Sequence, residues 1–195
     1  MKKYLLAIFA AALLALSLCA CSSSSSSESS SEDSSSTETS TLTDSLIEHR
    51  VFLTDSGEGY DEYMVVFYGS DTKKLVQLND QTLFDTSAGY TVDSLGDTAS
   101  IVENVYPGST EMGFCAIETL ETDDYISILV SFSKLDQKAN WTTLADSGIV
   151  VPDEEDYSKL DVLDADSLCD SIIANGGTEI SMADDVYQVL DFTVR

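Results

Sequence analysis

Residues 22–43 consist almost entirely of Ser, Thr, Glu and Asp. Such a segment buries too little apolar surface to offset the entropy lost on ordering, so we expect it to be disordered. It separates a short apolar leader from residues 46–195, which contain every predicted strand and helix. About 150 residues are enough to enclose one hydrophobic core, so we expect a single domain over 46–195.

The leader has the composition of a secretory signal peptide. Lys2 and Lys3 give it a positive start, and an apolar run over residues 5–18 is interrupted only by Ser17. This order of charged and apolar regions is typical of exported proteins. The run is shorter than the roughly 20 residues that cross a bilayer, which disfavours an uncleaved anchor helix. A cleaved signal without a lipid is the other alternative.

The residues Leu18-Cys19-Ala20-Cys21 resemble the lipobox of bacterial lipoproteins. The resemblance implies that residues 1–20 are removed as a signal peptide and that Cys21 carries a lipid. Cys19 is the competing position, but the bulky Leu18 precedes it, whereas the small Ala20 precedes Cys21. The protein would then be lipid-anchored at the extracytoplasmic face of the cell membrane. Residues 21–45 would form a tether of about 24 residues that spans roughly 25–30 Å.

The chain is strongly acidic. It has 35 Asp and Glu against 9 Lys and Arg, for a net charge of −26. Such a surface repels nucleic acid and anionic lipid headgroups, so we expect no nucleic-acid partner. It favours cationic partners or bound cations, although solubility alone also explains it. No sequence pattern indicates a cofactor.

Two cysteines, Cys115 and Cys169, lie in the predicted domain, and both fall on apolar faces of their segments. Export permits a disulfide between them. Closing that loop would stabilise the fold by roughly 4 kcal/mol in the chain-entropy description. The alternative is a pair of buried thiols that behave as small hydrophobic side chains.

Most of the domain has the alternation typical of β-strands. The predicted strands cover residues 48–53, 62–68, 73–84, 112–121, 125–134 and 186–194. Short links between the first three predict an antiparallel meander, and the turn at 122–124 predicts a second strand pair. In the strand over 125–134, Ile126, Ile128 and Val130 alternate with serines and one leucine, which predicts one buried face.

Helical spacing is found in three segments. The predicted helices cover residues 91–106, 140–147 and 164–175. Thr91 is a suitable N-cap for the first, and Pro107-Gly108 ends it. The sum predicts an α+β domain, a mostly antiparallel sheet of about five to seven strands with two or three helices packed on it.

Catalytic motifs are absent from the sequence. His49 is the single histidine, and its position at the start of the domain favours an exposed residue at a strand edge. There is no nucleophile elbow, phosphate-binding glycine loop or Cys/His cluster for zinc. Four aspartates recur within a short stretch, which raises the question of a calcium site; they are Asp161, Asp164, Asp166 and Asp170. The glycine of a calcium-binding loop is missing, so a solvated face is favoured.

The order of elements is similar to that of the YehR-like family of small bacterial lipoproteins, whose function is not established. The matching stretches are residues 65–74 (VVFYGSDTKK), the helix from Val92, and residues 117–136. The resemblance covers most of residues 60–180 and implies a fold and a location. It carries no catalytic residues across.

The sequence therefore predicts a noncatalytic, membrane-tethered domain that binds an envelope protein, a peptide or a wall component. The alternative is a hydrolase of the cell envelope that uses two carboxylates in a cleft. Residues 46–195 contain enough Asp and Glu that the sequence does not select such a pair.

Overall fold

A computed structural model describes residues 46–147 and 163–195. The predicted signal peptide, Cys21 and the tether lie outside the described residues. So do the apolar stretch 149–151, the acidic run 153–156 and Asp161.

Six antiparallel strands form one sheet in the described part of the chain. They are β1 (Ile47–Gly57), β2 (Tyr60–Gly69), β3 (Leu75–Asp85), β4 (Cys115–Glu121), β5 (Tyr125–Phe132) and the short β6 (Thr178–Glu179). Their order across the sheet is β4-β5-β3-β2-β1-β6. The predicted meander of the first three strands and the predicted β4–β5 pair are both confirmed. Sequence reasoning missed β6, which pairs with β1 through two residues.

Four α-helices accompany the sheet within the described ranges. They are α1 (Val92–Leu95), α2 (Thr98–Val105), α3 (Lys138–Ser147) and α4 (Ala165–Ala174). Sheet and helices together make an α+β domain, which confirms the predicted fold class. Across residues 46–147 and 163–195, none of the helices combines the length and apolarity needed to span a bilayer.

The helix predicted over residues 91–106 is divided in two. Thr91 caps α1 as predicted, since its side chain accepts a hydrogen bond from the N–H of Ser94. Gly96 then adopts a φ of +79°, a conformation that L-residues rarely take. The chain turns there, and α2 starts after Asp97.

The strand predicted over residues 186–194 is wrong. A 3₁₀-helix covers Asp185–Gln188. Residues 189–195 follow outside any strand ladder, and we call them the strap. Their main chain is hydrogen-bonded to side chains of the sheet, as described below.

The sheet is covered on both faces. The face that we call the helix face packs against all four helices and contains large buried side chains such as Phe52, Phe84 and Phe132. The opposite face, which we call the strap face, carries a smaller apolar cluster closed by the strap residue Leu190. Burying both faces leaves little of β2, β3 and β5 in contact with water.

The β1–β2 hairpin depends on Gly59. Its φ is +80°, and a Cβ placed on it would lie 2.4 Å from the Cβ of Ala88. We expect Gly59→Ala to lower the free energy of unfolding by roughly 1–3 kcal/mol, because backbone strain and overpacking add together. Gly89→Ala is the matched control, since its φ is +94° but nothing lies within 4 Å of the added Cβ. Urea denaturation measures both, and equal losses would rule out the packing contribution.

Candidate functional site

The strap face carries polar side chains that are buried. Gln77, Asn79 and Gln81 alternate along β3 and point to this face, as do Ser127 and Ser131 on the neighbouring β5. None of the five is more than 4% exposed. Buried amides and hydroxyls cost free energy unless they are hydrogen-bonded. The strap supplies the partners.

Gln77, Asn79 and Gln81, which we call the amide row, hold the strap by its main chain. The bonds are those of Gln81 with Val189 O (3.3 Å) and Asp191 N (2.8 Å), of Asn79 with Asp191 O (3.1 Å), and of Gln77 with Thr193 O (2.8 Å) and Arg195 N (2.7 Å). The bonded strap residues are every second one, 189, 191, 193 and 195. They match amides at alternate positions of β3, whose side chains on one face recur every two residues.

The amide row is fixed by further hydrogen bonds within the sheet. Gln77 donates to Asn79 Oδ1 at 2.9 Å, and the Ser131 hydroxyl donates to the same oxygen. Gln81 donates to Ser127 Oγ at 2.9 Å. These contacts lie within the sheet and restrict the amide rotamers independently of the strap.

Beside the amide row, β1 and β2 supply apolar surface for the side chains of the strap. Leu190 is 7% exposed. It belongs to a buried cluster with Val51, Tyr63, Val65, Phe67 and Leu83. Phe192 stacks on His49, with ring centroids 4.6 Å apart. The strap is thus held by its main chain at odd-numbered residues and by apolar side chains at Leu190 and Phe192.

His49 is not the exposed strand-edge residue that the sequence suggested. Its ring is half-buried among Phe67, Tyr187 and Phe192. Its Nε2 shares a hydrogen bond with the hydroxyl of Tyr187. Burial lowers the pKa of His49, so the ring is neutral at pH 7 and takes part in aromatic packing.

A pocket of about 440 Å³ opens where β1, β6 and the following loop meet. Its lining residues are His49, Arg50, Val51, Glu179, Ile180, Ser181, Met182 and Tyr187. Arg50 forms a bidentate bond with Glu179 at 2.8 and 2.7 Å. This pairing raises the pKa of Arg50 and lowers the pKa of Glu179, so both stay charged. The ion pair is set among apolar and aromatic side chains, and Met182 of the lining is 76% exposed.

Two carboxyl groups, Glu62 and Asp80, are buried on the helix face. Each residue is 3% exposed. They lie on the adjacent strands β2 and β3. Tyr106 donates a hydrogen bond to Asp80, whose Oδ1 has no hydrogen-bond partner among the described residues. We call Glu62 and Asp80 the acid pair.

Burial changes the protonation of the acid pair. It raises the pKa of Asp80 to about 7. Burial, followed by the charges of Asp80 and Asp55, raises the pKa of Glu62 to about 9. The pair therefore holds a proton at neutral pH. A glycosidase uses two carboxyl groups that flank a bound substrate. The acid pair is buried, so a substrate has no access to it.

The disulfide considered between Cys115 and Cys169 is not formed, since both thiols are free. Cys115 lies on β4, whereas Cys169 lies on α4, which packs on β1 and β2. Strands β5 and β3 lie between, and at about 4.8 Å per strand the separation exceeds disulfide reach. Burial raises the pKa of each thiol to about 11, which leaves both protonated and unreactive.

Three of the four aspartates, Asp164, Asp166 and Asp170, lie among the described residues and are not grouped as metal ligands. Asp164 caps the helix by accepting from the N–H of Ser167 at 2.8 Å, and Asp166 and Asp170 are exposed. Over the described ranges, no cluster of three or more His, Cys, Asp or Glu is arranged to hold a metal ion.

Sequence reasoning missed the amide row, the strap and the acid pair. The one local signal was the stretch Gln77-Leu78-Asn79-Asp80-Gln81, which places three amides on one face of a strand. Such alternation usually indicates a water-exposed face, and nothing local to β3 indicates that the strap covers it.

Two solved structures are similar to this α+β domain. The NMR structure of the E. coli YehR protein has a TM-score of 0.49 and 15% identity, and the match covers 74% of this chain and 99% of that one. The NMR structure of a protein from Streptococcus pneumoniae TIGR4 has a TM-score of 0.40 and 14% identity, and the match covers 82% and 100%. No family model and no curated protein matches the chain. These likenesses are weak, and no activity follows from them.

Proposed function

We propose that the chain is a lipoprotein anchored through Cys21 at the extracytoplasmic face of the cell membrane. Its folded domain would bind a protein, peptide or wall component without transforming it. The observation that carries this proposal is the order of segments: a charged start, an apolar run, a lipobox, a Ser-rich tether and then a folded domain.

The pocket beside β1 supports the binding half of the proposal. His49 and Arg50 line it and follow the tether within a few residues. The ion pair of Arg50 with Glu179 leaves no uncompensated charge between them, and Met182 exposes apolar surface at the rim. A lipid at Cys21 would keep this pocket within a tether's length of the membrane.

The hydrolase alternative has no comparable support. The two catalytic carboxyl groups of such a hydrolase would be the acid pair. A substrate would have to displace the side chains packed around Tyr106 to reach these carboxyl groups. Acid–base chemistry requires contact with the reacting group. The arrangement therefore favours binding over turnover.

Replacing Cys21 with Ala should abolish lipid attachment. We expect labelled palmitate incorporation to fall at least about tenfold and the protein to leave the membrane fraction, because no acyl chain then holds it. Cys19→Ala is the matched control and should keep both the label and the membrane location. Full labelling of Cys21→Ala, or loss of label in Cys19→Ala alone, would contradict the anchor assignment.

Binding and turnover can be separated on the full lipoprotein in detergent micelles. Peptidoglycan fragments and synthetic peptides are titrated while NMR signals of Arg50, Ser181 and Met182 are followed. We expect one of these two classes to shift the pocket signals, and Met182→Glu to weaken that shift. Chromatography should show unchanged ligand. Product formation contradicts a binding role, and so does the absence of any shift.

A further inference from the structure

We propose that the strap face is a binding site for extended polypeptides, and that residues 189–195 occupy it as an internal ligand. The ligand in trans is an extended segment of another protein. It carries two apolar residues at alternate positions and a cationic residue three positions after the second. This site is distinct from the pocket beside β1, although His49 borders both.

The recognition is directed at the main chain. Each member of the amide row bonds an N–H or a C=O of the strap, and none of these bonds involves a strap side chain. A different sequence can make the same bonds wherever it supplies an N–H at the positions of Asp191 and Arg195. Addition of a peptide to a sheet edge uses main-chain bonds in a similar way.

Side chains of the strap define the preferred ligand. Leu190 fills the apolar cluster of β1 and β2, and Phe192 stacks on His49. The guanidinium of Arg195 contacts Glu118 of β4 at 2.9 Å, and within the strap itself it contacts Asp191 at 3.0 Å. The net charge of −26 also attracts a cationic segment.

The strap can leave without breaking the sheet. It makes no ladder with β3 or β5, whose main-chain bonds are completed by neighbouring strands. Its departure would expose the amide row and the apolar cluster together, which are the two halves of a peptide site. A covalently attached segment competes at an effective concentration near the millimolar range, so the intact protein should bind a free peptide weakly.

The test inserts a protease site between Gln188 and Val189 of the full chain, so that cleavage breaks the covalent link between the strap and the domain. Binding of a fluorescent peptide with the sequence of residues 189–195 is then measured by anisotropy. We expect binding at least about 100-fold tighter after cleavage than before it, because the attached competitor has been removed.

Matched probes separate main-chain recognition from simple apolar adhesion. N-methylation at the position of Asp191 removes the N–H that donates a hydrogen bond to Gln81 Oε1. It should weaken binding of the peptide at least about tenfold. N-methylation at the position of Phe192 touches no bond to the amide row and should change binding less. A peptide with Glu at the position of Arg195 should also bind more weakly.

Equal binding of the two methylated peptides would overturn the proposal. So would peptide binding that survives Gln77→Leu/Asn79→Leu/Gln81→Leu in the cleaved protein. If cleavage unfolds the domain, refolding on addition of the peptide supports the proposal, and failure to refold overturns it. Dimerisation of the uncleaved protein through exchanged straps would assign the site to a second copy of this chain instead.

Discussion

Asp80→Asn should make the domain more stable than the wild type at pH 8 while leaving its stability at pH 4 within about 1 kcal/mol. Asp80 and Glu62 are both buried, and burial raises the pKa of each above its ordinary value. Asparagine keeps the shape of the side chain and an oxygen for Tyr106, but it carries no proton that can be lost.

The direction follows from proton binding. The pKa of Asp80 rises from 3.8 to about 7 and that of Glu62 from 4.5 to about 9 on folding. Below the unfolded values both states are protonated, and the contribution to stability is complete. As the pH rises towards the folded values, only the unfolded chain loses protons, so the folded state loses about 1.4 kcal/mol per pH unit for each group.

Wild-type stability should therefore fall between pH 5 and pH 8 by at least about 2 kcal/mol, and the fall should be shallower in Asp80→Asn. Urea denaturation at a series of pH values measures this. Asp124→Asn is the matched control, since Asp124 is exposed in the β4–β5 turn, and its profile should follow the wild type. An unchanged slope in Asp80→Asn would show that Asp80 is already ionised in the folded state.

The sequence could not have selected the acid pair. Its 35 Asp and Glu carry no local mark of burial, and Asp80 lies between amides that themselves suggest a polar surface. What buries Asp80 and Glu62 is the packing of distant helices on the sheet, together with Tyr106. Burial of a carboxyl group depends on such long-range contacts, which sequence periodicity does not contain.

Local patterns were sufficient for β2 and β5. The β-branched and aromatic run over 62–68 and the alternation over 125–134 predicted β2 and β5, because side chains of a strand alternate between two faces. The apolar side of β5 is buried as expected. Its serine side is buried as well, with Ser131 only 1% exposed, because the strap covers it.

Long-range contacts that the sequence pattern does not contain also explain why the strand predicted over residues 186–194 is wrong. Leu190 and Phe192 do face the apolar cluster of the sheet. Alternation reports which side chains are buried but not what the main chain bonds to. Here the partners are amide side chains, so the segment lies on the sheet without belonging to a strand ladder.

Replacing the amide row by Gln77→Leu/Asn79→Leu/Gln81→Leu should detach the strap. The leucines keep roughly the volume of the amides but leave five main-chain bonds of the strap unmade. At about 1 kcal/mol net for each hydrogen bond, we expect a loss of roughly 3–6 kcal/mol. Hydrogen exchange should show the amides of Asp191 and Arg195 losing protection, because their acceptors are gone.

Gln188→Leu is the matched control. It removes an exposed amide one residue before the strap, so protection at Asp191 and Arg195 should not change. Retained protection of those two amides in the triple variant would mean that the apolar contacts of Leu190 and Phe192 hold the strap by themselves.

The pattern of lost hydrogen-exchange protection also shows whether the strap opens by itself or only together with the whole sheet. The main-chain bonds of β3 and β5 run within the sheet and do not involve the strap. Protection in these strands should therefore persist in the triple variant while it disappears over residues 189–195. Exchange of the whole sheet at the same rate as the strap would show instead that this segment is part of the cooperative core, since a segment that opens by itself has a smaller opening free energy.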